Sequence, residues 1–111
     1  MRLTWRARSS NTARARLRRG TWWMPSRITW ALAAWDDYQY WQGQDRKTLK
    51  RINEVIRDCL REPFDGIGKP EPLKENLSGF WSRRIDDANR LVYCVDGDDL
   101  TIIACRYHYD N

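Results

Sequence analysis

Histidine is almost absent from this chain of 111 residues: there is one, His108, four positions from the C-terminus. Cysteine is sparse too. Cys59, Cys94 and Cys105 make an odd count with no C-x-x-C spacing, and they sit among apolar neighbours. One imidazole and scattered thiols cannot assemble the usual zinc ligand set, so no metal or other cofactor is expected, and the thiols read as small buried hydrophobes. No apolar run approaches the roughly 20 residues of a membrane-spanning helix, which leaves no membrane partner. No internal repeat is present. The length suits one hydrophobic core and not two.

Acid is missing from residues 1–23, which carry seven arginines, among them Arg18-Arg19. No apolar segment follows, so neither a secretory nor a twin-arginine signal is expected, and the expected location is cytoplasmic. The formal charge of +5 comes from this segment. Without those seven, 13 basic residues face 15 acidic ones, a net −2 for residues 24–111. A general affinity for nucleic acid therefore does not follow from the charge; only a local basic patch supports it. The division expected is a basic extension over 1–23, disordered or non-native, with Met24 as the natural start of a domain over 24–111. A basic arm that grips RNA is the alternative for the extension.

Within the domain, Arg27-Ile28-Thr29-Trp30 has the alternation of a short strand. Trp35, Tyr38 and Trp41 recur at helical spacing until Gly43. Asp45 is placed to cap a second helix with the apolar stripe Leu49, Ile52, Ile56 and Leu60, ending before Pro63. The two helices make an αα-hairpin. Residues 63–79 read as a long irregular Gly/Pro-rich loop, a length that is often functional. Strands follow at Phe80–Ile85, Arg90–Val95 and Leu100–Tyr109. The order β-α-α-β-β-β predicts an α+β fold: an antiparallel sheet with two helices packed on one face. Trp30, Trp35, Trp41 and Trp81 read as core.

The C-terminal third holds an acid between prolines (Glu71), several arginines and the lone imidazole, the minimum parts for metal-free cleavage of a phosphodiester. Each has a plainer reading. Glu71 can be a solvated loop acid, His108 a surface histidine, and Arg83 and Arg84 a coat on the outer sheet face. Arg90 opposite Arg84 across a short hairpin is harder to explain without a ligand, because like charges placed across strands repel; a bound phosphate relieves that. Alternation adds a constraint. Arg90 and His108 share a face only with an odd loop around Gly97 or a bulge, whereas Asp96-Gly97 or Gly97-Asp98 invites a two-residue turn.

An ordered series of segments resembles the YoeB toxins of the wider RelE/ParE superfamily. It comprises Ala34-Trp35-Asp36-Asp37-Tyr38, Tyr40-Trp41-Gln42, Ile52-Asn53-Glu54 and Gly68-Lys69-Pro70-Glu71-Pro72-Leu73-Lys74. Asn76-Leu77-Ser78-Gly79-Phe80-Trp81-Ser82-Arg83-Arg84-Ile85, Arg90-Leu91-Val92-Tyr93 and Ala104-Cys105-Arg106-Tyr107-His108-Tyr109 complete it. The resemblance implies a RelE-like fold and a type II toxin that enters the ribosomal A site, cuts the mRNA there and halts translation. It implies a silencing antitoxin of the YefM type and a capacity to dimerise. By matching motif it assigns Glu71 as catalytic base, Arg90 as the phosphate-facing arginine and His108 as general acid, with Lys74, Arg84 and Tyr109 supporting. Arg83, beside Arg84, is included in the candidate RNA-binding patch. Asp110 and Asn111 extend beyond the usual terminal tyrosine, and the first 23 residues have no counterpart. Three rivals stand beside this reading: a ParE-like gyrase inhibitor, a ribosome-independent RNase, and a plain RNA- or protein-binding module using Arg83-Arg84.

Overall fold

The computed structural model describes Trp23 and residues 25–107. Strand β1 (Arg27–Trp30) leads into helices α1 (Leu32–Gln44) and α2 (Arg46–Arg61), then β2 (Glu71–Pro72), a 3₁₀ turn (Glu75–Leu77), β3 (Trp81–Arg84), β4 (Arg90–Asp96) and β5 (Asp99–Ala104). Asp45 caps α2 as expected: its carboxylate accepts from the backbone N–H groups of Lys47 at 3.1 Å and Thr48 at 3.2 Å. The buried stripe of α2 is Ile52, Val55, Ile56 and Cys59. Leu49 and Leu60, expected in that stripe, only flank it. Helix α1 buries little beyond Ala34 and Trp41.

The five strands form one sheet in the order β1-β5-β4-β3-β2. The expected α+β architecture is present, with one correction. The sheet is mixed, because β1 runs parallel to β5, Arg27 opposite Asp99. A helical hairpin between the first strand and the rest returns the chain far from where it began, so β1 pairs with a strand 72 positions later, beyond what local patterning specifies. A second correction concerns residues 63–79, which are not wholly irregular: Glu71–Pro72 adds an edge strand against β3. Proline is tolerated at such an edge.

Both helices cover one sheet face. Leu91, Tyr93 and Val95 of β4 and Leu100 and Ile102 of β5 pack with Ala34, Trp41, Ile52, Val55 and Cys59. Trp35, expected in the core, is 45 % exposed and lies along Tyr38. Among the described residues, the opposite face carries no α-helix. It carries a small cluster of Leu73, Val92 and Ala104, with Leu77, Phe80 and Ile103 against it. Cys59, Cys94 and Cys105 are buried free thiols. Trp23, assigned by composition to the extension, belongs to the folded unit: it is 4 % exposed in the main core and its indole N–H donates to the Gly97 carbonyl at 2.7 Å. Residues 1–22 and Met24 lie outside the described residues.

The largest departure from expectation is Arg83. Its side chain points into the helix-covered core, fully buried, and cannot contribute to an RNA-binding surface. Alternation along β3 sends Trp81 and Arg83 inward and Ser82 and Arg84 outward. All five guanidinium N–H groups are committed. Nε donates to the Tyr93 hydroxyl (3.1 Å), Nη1 to Asp58 Oδ2 (2.7 Å) and the Ile67 carbonyl (3.1 Å), and Nη2 to the carbonyls of Glu62 (2.5 Å) and Asp65 (3.1 Å). The Tyr93 hydroxyl in turn donates to the Pro63 carbonyl at 2.6 Å. Burial drives the Tyr93 phenol pKa upward, so it stays a donor. Gly66 sits beneath this network at φ +133°, where a Cβ would collide with the Asp58 carboxylate. Arg83 thus fastens the segment from Glu62 to Ile67 onto α2 and β4.

Two outcomes follow from this network. Arg83→Met removes the buried cation and leaves Asp58 and three loop carbonyls without it, so urea denaturation is expected to show a loss of roughly 3–5 kcal/mol. Arg83→Lys recovers only part, since three donors cannot serve five acceptors. Asp58 also supplies a pH dependence. Burial opposes its charge, but the bonds from Arg61, the Ile67 N–H and Arg83 outweigh that and hold its pKa down at about 2, against an ordinary 3.8. A depressed folded pKa stabilises above the unfolded value. About 2 kcal/mol is therefore expected to be present above pH ~4 and lost as pH falls towards 2, and Asp58→Asn should lack this acid limb.

Candidate functional site

The helix-free face gathers most of the candidate residues that lie within the described range. Glu71 opens β2 directly opposite Ser82 of β3, and Arg84 at the end of β3 faces Arg90 at the start of β4. The expected juxtaposition of two arginines across this hairpin is thus present. Pro70 and Pro72 restrict the backbone on either side of Glu71, and the Leu73 N–H donates to the Phe80 carbonyl at 2.9 Å. The segment bearing Glu71 is pinned at its start by the Arg84 N–H, which donates to the Gly68 carbonyl at 2.6 Å. Lys69 and Glu75, on either side of the acid, both hold positive φ (51° and 55°). Non-glycine residues enter this region at an energetic cost that surrounding structure must impose, and such residues cluster at functional sites.

Arg90 is the centre of the group. Its Nη1 lies 3.6 Å from Glu71 Oε2 and 3.2 Å from Ser82 Oγ, to which it donates. Glu71 is 57 % exposed and Arg90 28 %, so a carboxylate and a guanidinium meet at the solvent boundary within reach of a ligand. Among the described residues Arg84 makes a long contact to Asp87, 4.0 Å, and it remains half exposed on the same face. Lys74 is exposed three residues beyond Glu71. Arg83, as described, does not join this set.

The tail is brought to the same place by a bulge. The Gly97-Asp98 loop is a two-residue turn, with Gly97 at φ +64°, as the local sequence invites. Between Tyr93↔Ile102 and Val92↔Ala104 the register shifts, leaving Ile103 as the additional residue of β5. The shift puts Ala104 on the helix-free face with Val92. The chain is then held at two points. Asp37 Oδ2 accepts from the Cys105 N–H at 3.0 Å and the Trp41 indole donates to the Cys105 carbonyl at 2.8 Å. Burial raises the Asp37 pKa, with the Cys105 N–H bond and Arg106 opposing it. Arg106 stacks over the Tyr40 ring at 3.5 Å. At Tyr107 the backbone takes φ +64°; its carbonyl accepts from the Arg90 N–H at 2.8 Å and its N–H donates to Asn89 Oδ1 at 2.5 Å. His108 and Tyr109 lie outside the described residues.

Ser82 and Asn89 were not singled out by the sequence. Ser82 was legible in retrospect as the outward residue between two inward ones on β3. Asn89 carried the signature of an Asx turn with Asp86, which marks a turn and not the chain segment it reaches.

Comparison with known proteins gives these residues a family. The pattern described as "YoeB-like toxin of bacterial type II toxin-antitoxin system" matches residues 30–109. The chain is similar to Toxin YoeB of Escherichia coli strain K12, with 60% identity over 83 residues that make up 75% of this chain and 99% of that protein. It also resembles the YoeB dimer from Staphylococcus aureus (TM-score 0.71, 48% identity, 75% of this chain and 97% of that one). YoeB in the heterotetrameric YoeB–YefM complex from the same organism is similar as well (TM-score 0.70, 48% identity, 74% and 95%). With the match running through both helices and β2 to β5, the chain belongs to the YoeB-like toxins of bacterial type II toxin–antitoxin systems.

Proposed function

We propose that this toxin is a ribosome-dependent mRNA endoribonuclease of the cytoplasm that cleaves the message in the A site and so stops translation. The observation that carries the reading is the meeting of Glu71 and Arg90, 3.6 Å apart on the open sheet face. RNA brings its own nucleophile, the 2′-hydroxyl beside the scissile phosphate. What remains is to remove that proton, neutralise charge gathering on phosphorus, and protonate the departing 5′-oxygen. Glu71 takes the proton, Arg90 meets the phosphate with Arg84 and Lys74 nearby, and His108 supplies the proton to the leaving group, with Tyr109 in support. A phosphate arriving at Arg90 competes with the Glu71 carboxylate for the guanidinium and frees that carboxylate to act as base. The products are a 2′,3′-cyclic phosphate and a 5′-hydroxyl. These residues complete the chemistry without a metal ion.

Residues 24–111 carry a net negative charge, so intrinsic affinity for naked RNA is weak in this reading and the ribosome supplies much of the positioning. The YoeB–YefM and YoeB-dimer structures of the S. aureus relative support a YefM-type antitoxin as the silencing partner and self-association as a property of this chain.

Primer extension on translated mRNA tests the proposal. Wild-type protein is expected to produce discrete breaks within the reading frame, while Glu71→Ala and His108→Ala each lower the cleavage rate about 10²–10⁴-fold, the usual contribution of a general acid or base. EDTA at a level that leaves ribosomes intact should not abolish cleavage. Intact mRNA together with a change in DNA supercoiling would replace this reading with a gyrase inhibitor. Equal cutting of naked RNA would remove the ribosome from it. Full activity in both variants would leave only a binding module.

A further inference from the structure

The tail is attached to the site through one side chain outside the roles assigned above. Asn89 lies in the turn between β3 and β4 and is 9 % exposed. Its Nδ2 donates to both carboxylate oxygens of Asp86, at 3.0 and 3.2 Å, which fixes the orientation of the amide. Asp86 is itself fixed, its Oδ1 accepting from the backbone N–H groups of Ala88 at 2.9 Å and Asn89 at 2.8 Å. The remaining amide oxygen of Asn89 accepts from the N–H of Tyr107 at 2.5 Å. The neighbouring residue, Arg90, donates its own N–H to the Tyr107 carbonyl at 2.8 Å. Both polar backbone groups of Tyr107 are therefore held by two consecutive residues, the last of the β3–β4 turn and the first of β4. Tyr107 needs holding: its φ of +64° is unfavourable for a tyrosine, and without external bonds the peptide relaxes to negative φ and redirects everything after it. The next residue is His108.

We infer that Asn89, fixed by Asp86, is a positioning residue that sets the direction in which the chain delivers the His108 imidazole to the phosphate bound at Arg90. This rests on the proposed role of His108 as general acid. Asn89 itself touches no reacting atom. Because Arg90 shares the clamp through its own backbone, the phosphate-binding residue and Tyr107 are tied together at one point.

The leaving group gives a readout that loss of folding alone would not produce. Ribosomes programmed with mRNA carrying either the natural 5′-oxygen or a bridging 5′-sulfur at the cleaved link are treated with full-length protein under single-turnover conditions. Thiolate departs without protonation, so the sulfur substrate does not need the acid. His108→Ala is expected to slow the oxygen substrate by about 100-fold or more and the sulfur substrate by only a few-fold. Asn89→Ala should show the same asymmetry, about 10- to 100-fold on oxygen and little on sulfur. Asn89→Asp should also slow the oxygen substrate, since it sets two carboxylates against each other. Adding Asp86→Asn to it restores one amide and one carboxylate, with every bond to a backbone N–H and one of the two bonds between the side chains available, and should bring the oxygen rate back to within about ten-fold of wild type. Equal slowing of both substrates by Asn89→Ala, or no slowing of either, overturns the positioning role while leaving His108 as the acid. Failure of the exchanged pair to recover overturns it as well, and serves as the deciding arm if Asn89→Ala does not fold. If His108→Ala itself shows no asymmetry, the acid assignment falls, and the positioning inference with it.

Discussion

A fully buried guanidinium holds this small fold together. Burying a cation is costly unless every donor finds a partner, and Arg83 meets that condition with a carboxylate, a phenol and three carbonyls. The partners come from the end of α2, the loop after it and the middle of β4. One residue therefore does for the Glu62–Ile67 segment what a strand pairing would do for a regular one. The loop leaves this anchor and enters the ladder at Gly68, so that Glu71 begins an edge strand with its backbone already placed. The position of the candidate base on one sheet face is thus a consequence of what is buried behind the other.

That division between faces explains the economy of the chain. The helix-covered face holds nearly all the apolar burial and the free thiols Cys59 and Cys105, both pushed up to about 12 by burial and chemically quiet. The opposite face has a smaller apolar cluster and carries Glu71, Ser82, Arg84 and Arg90. A sheet whose two α-helices pack on one face leaves polar alternation on the other free for chemistry. On β3 the alternation separates neighbouring arginines into opposite tasks, Arg83 structural and Arg84 at the surface.

Much of this was legible in the sequence. The cap at Asp45, the helical pair, the hairpin at Gly97 and the facing of Arg84 and Arg90 follow from local rules of spacing and turn chemistry. What was not legible depends on long-range packing. The parallel pairing of β1 with β5 has no local signal. The burial of Arg83 runs against the ordinary exposure of arginine, and only the parity of β3 together with the partners on α2 explains it. A bulge was one of the two devices read for the tail, with His108 outside the described residues; its location at Ile103 follows from the packing of Val92, Ala104 and Leu73. Trp23 was hidden by its arginine-rich neighbours, because a composition boundary does not register a single side chain that reaches the core.

The parallel pairing of the first strand with the last has a consequence for synthesis. Among the described strands β1 is the first to be made, and its partner Asp99–Ala104 is the last. Until that partner emerges, Ile28 and Trp30 have no ladder to join, and the α1–α2 hairpin has only part of the sheet beneath it. Nor is Tyr107 yet there to accept the Arg90 N–H. The arrangement on which the proposed activity rests is therefore complete only after Tyr107 has been added.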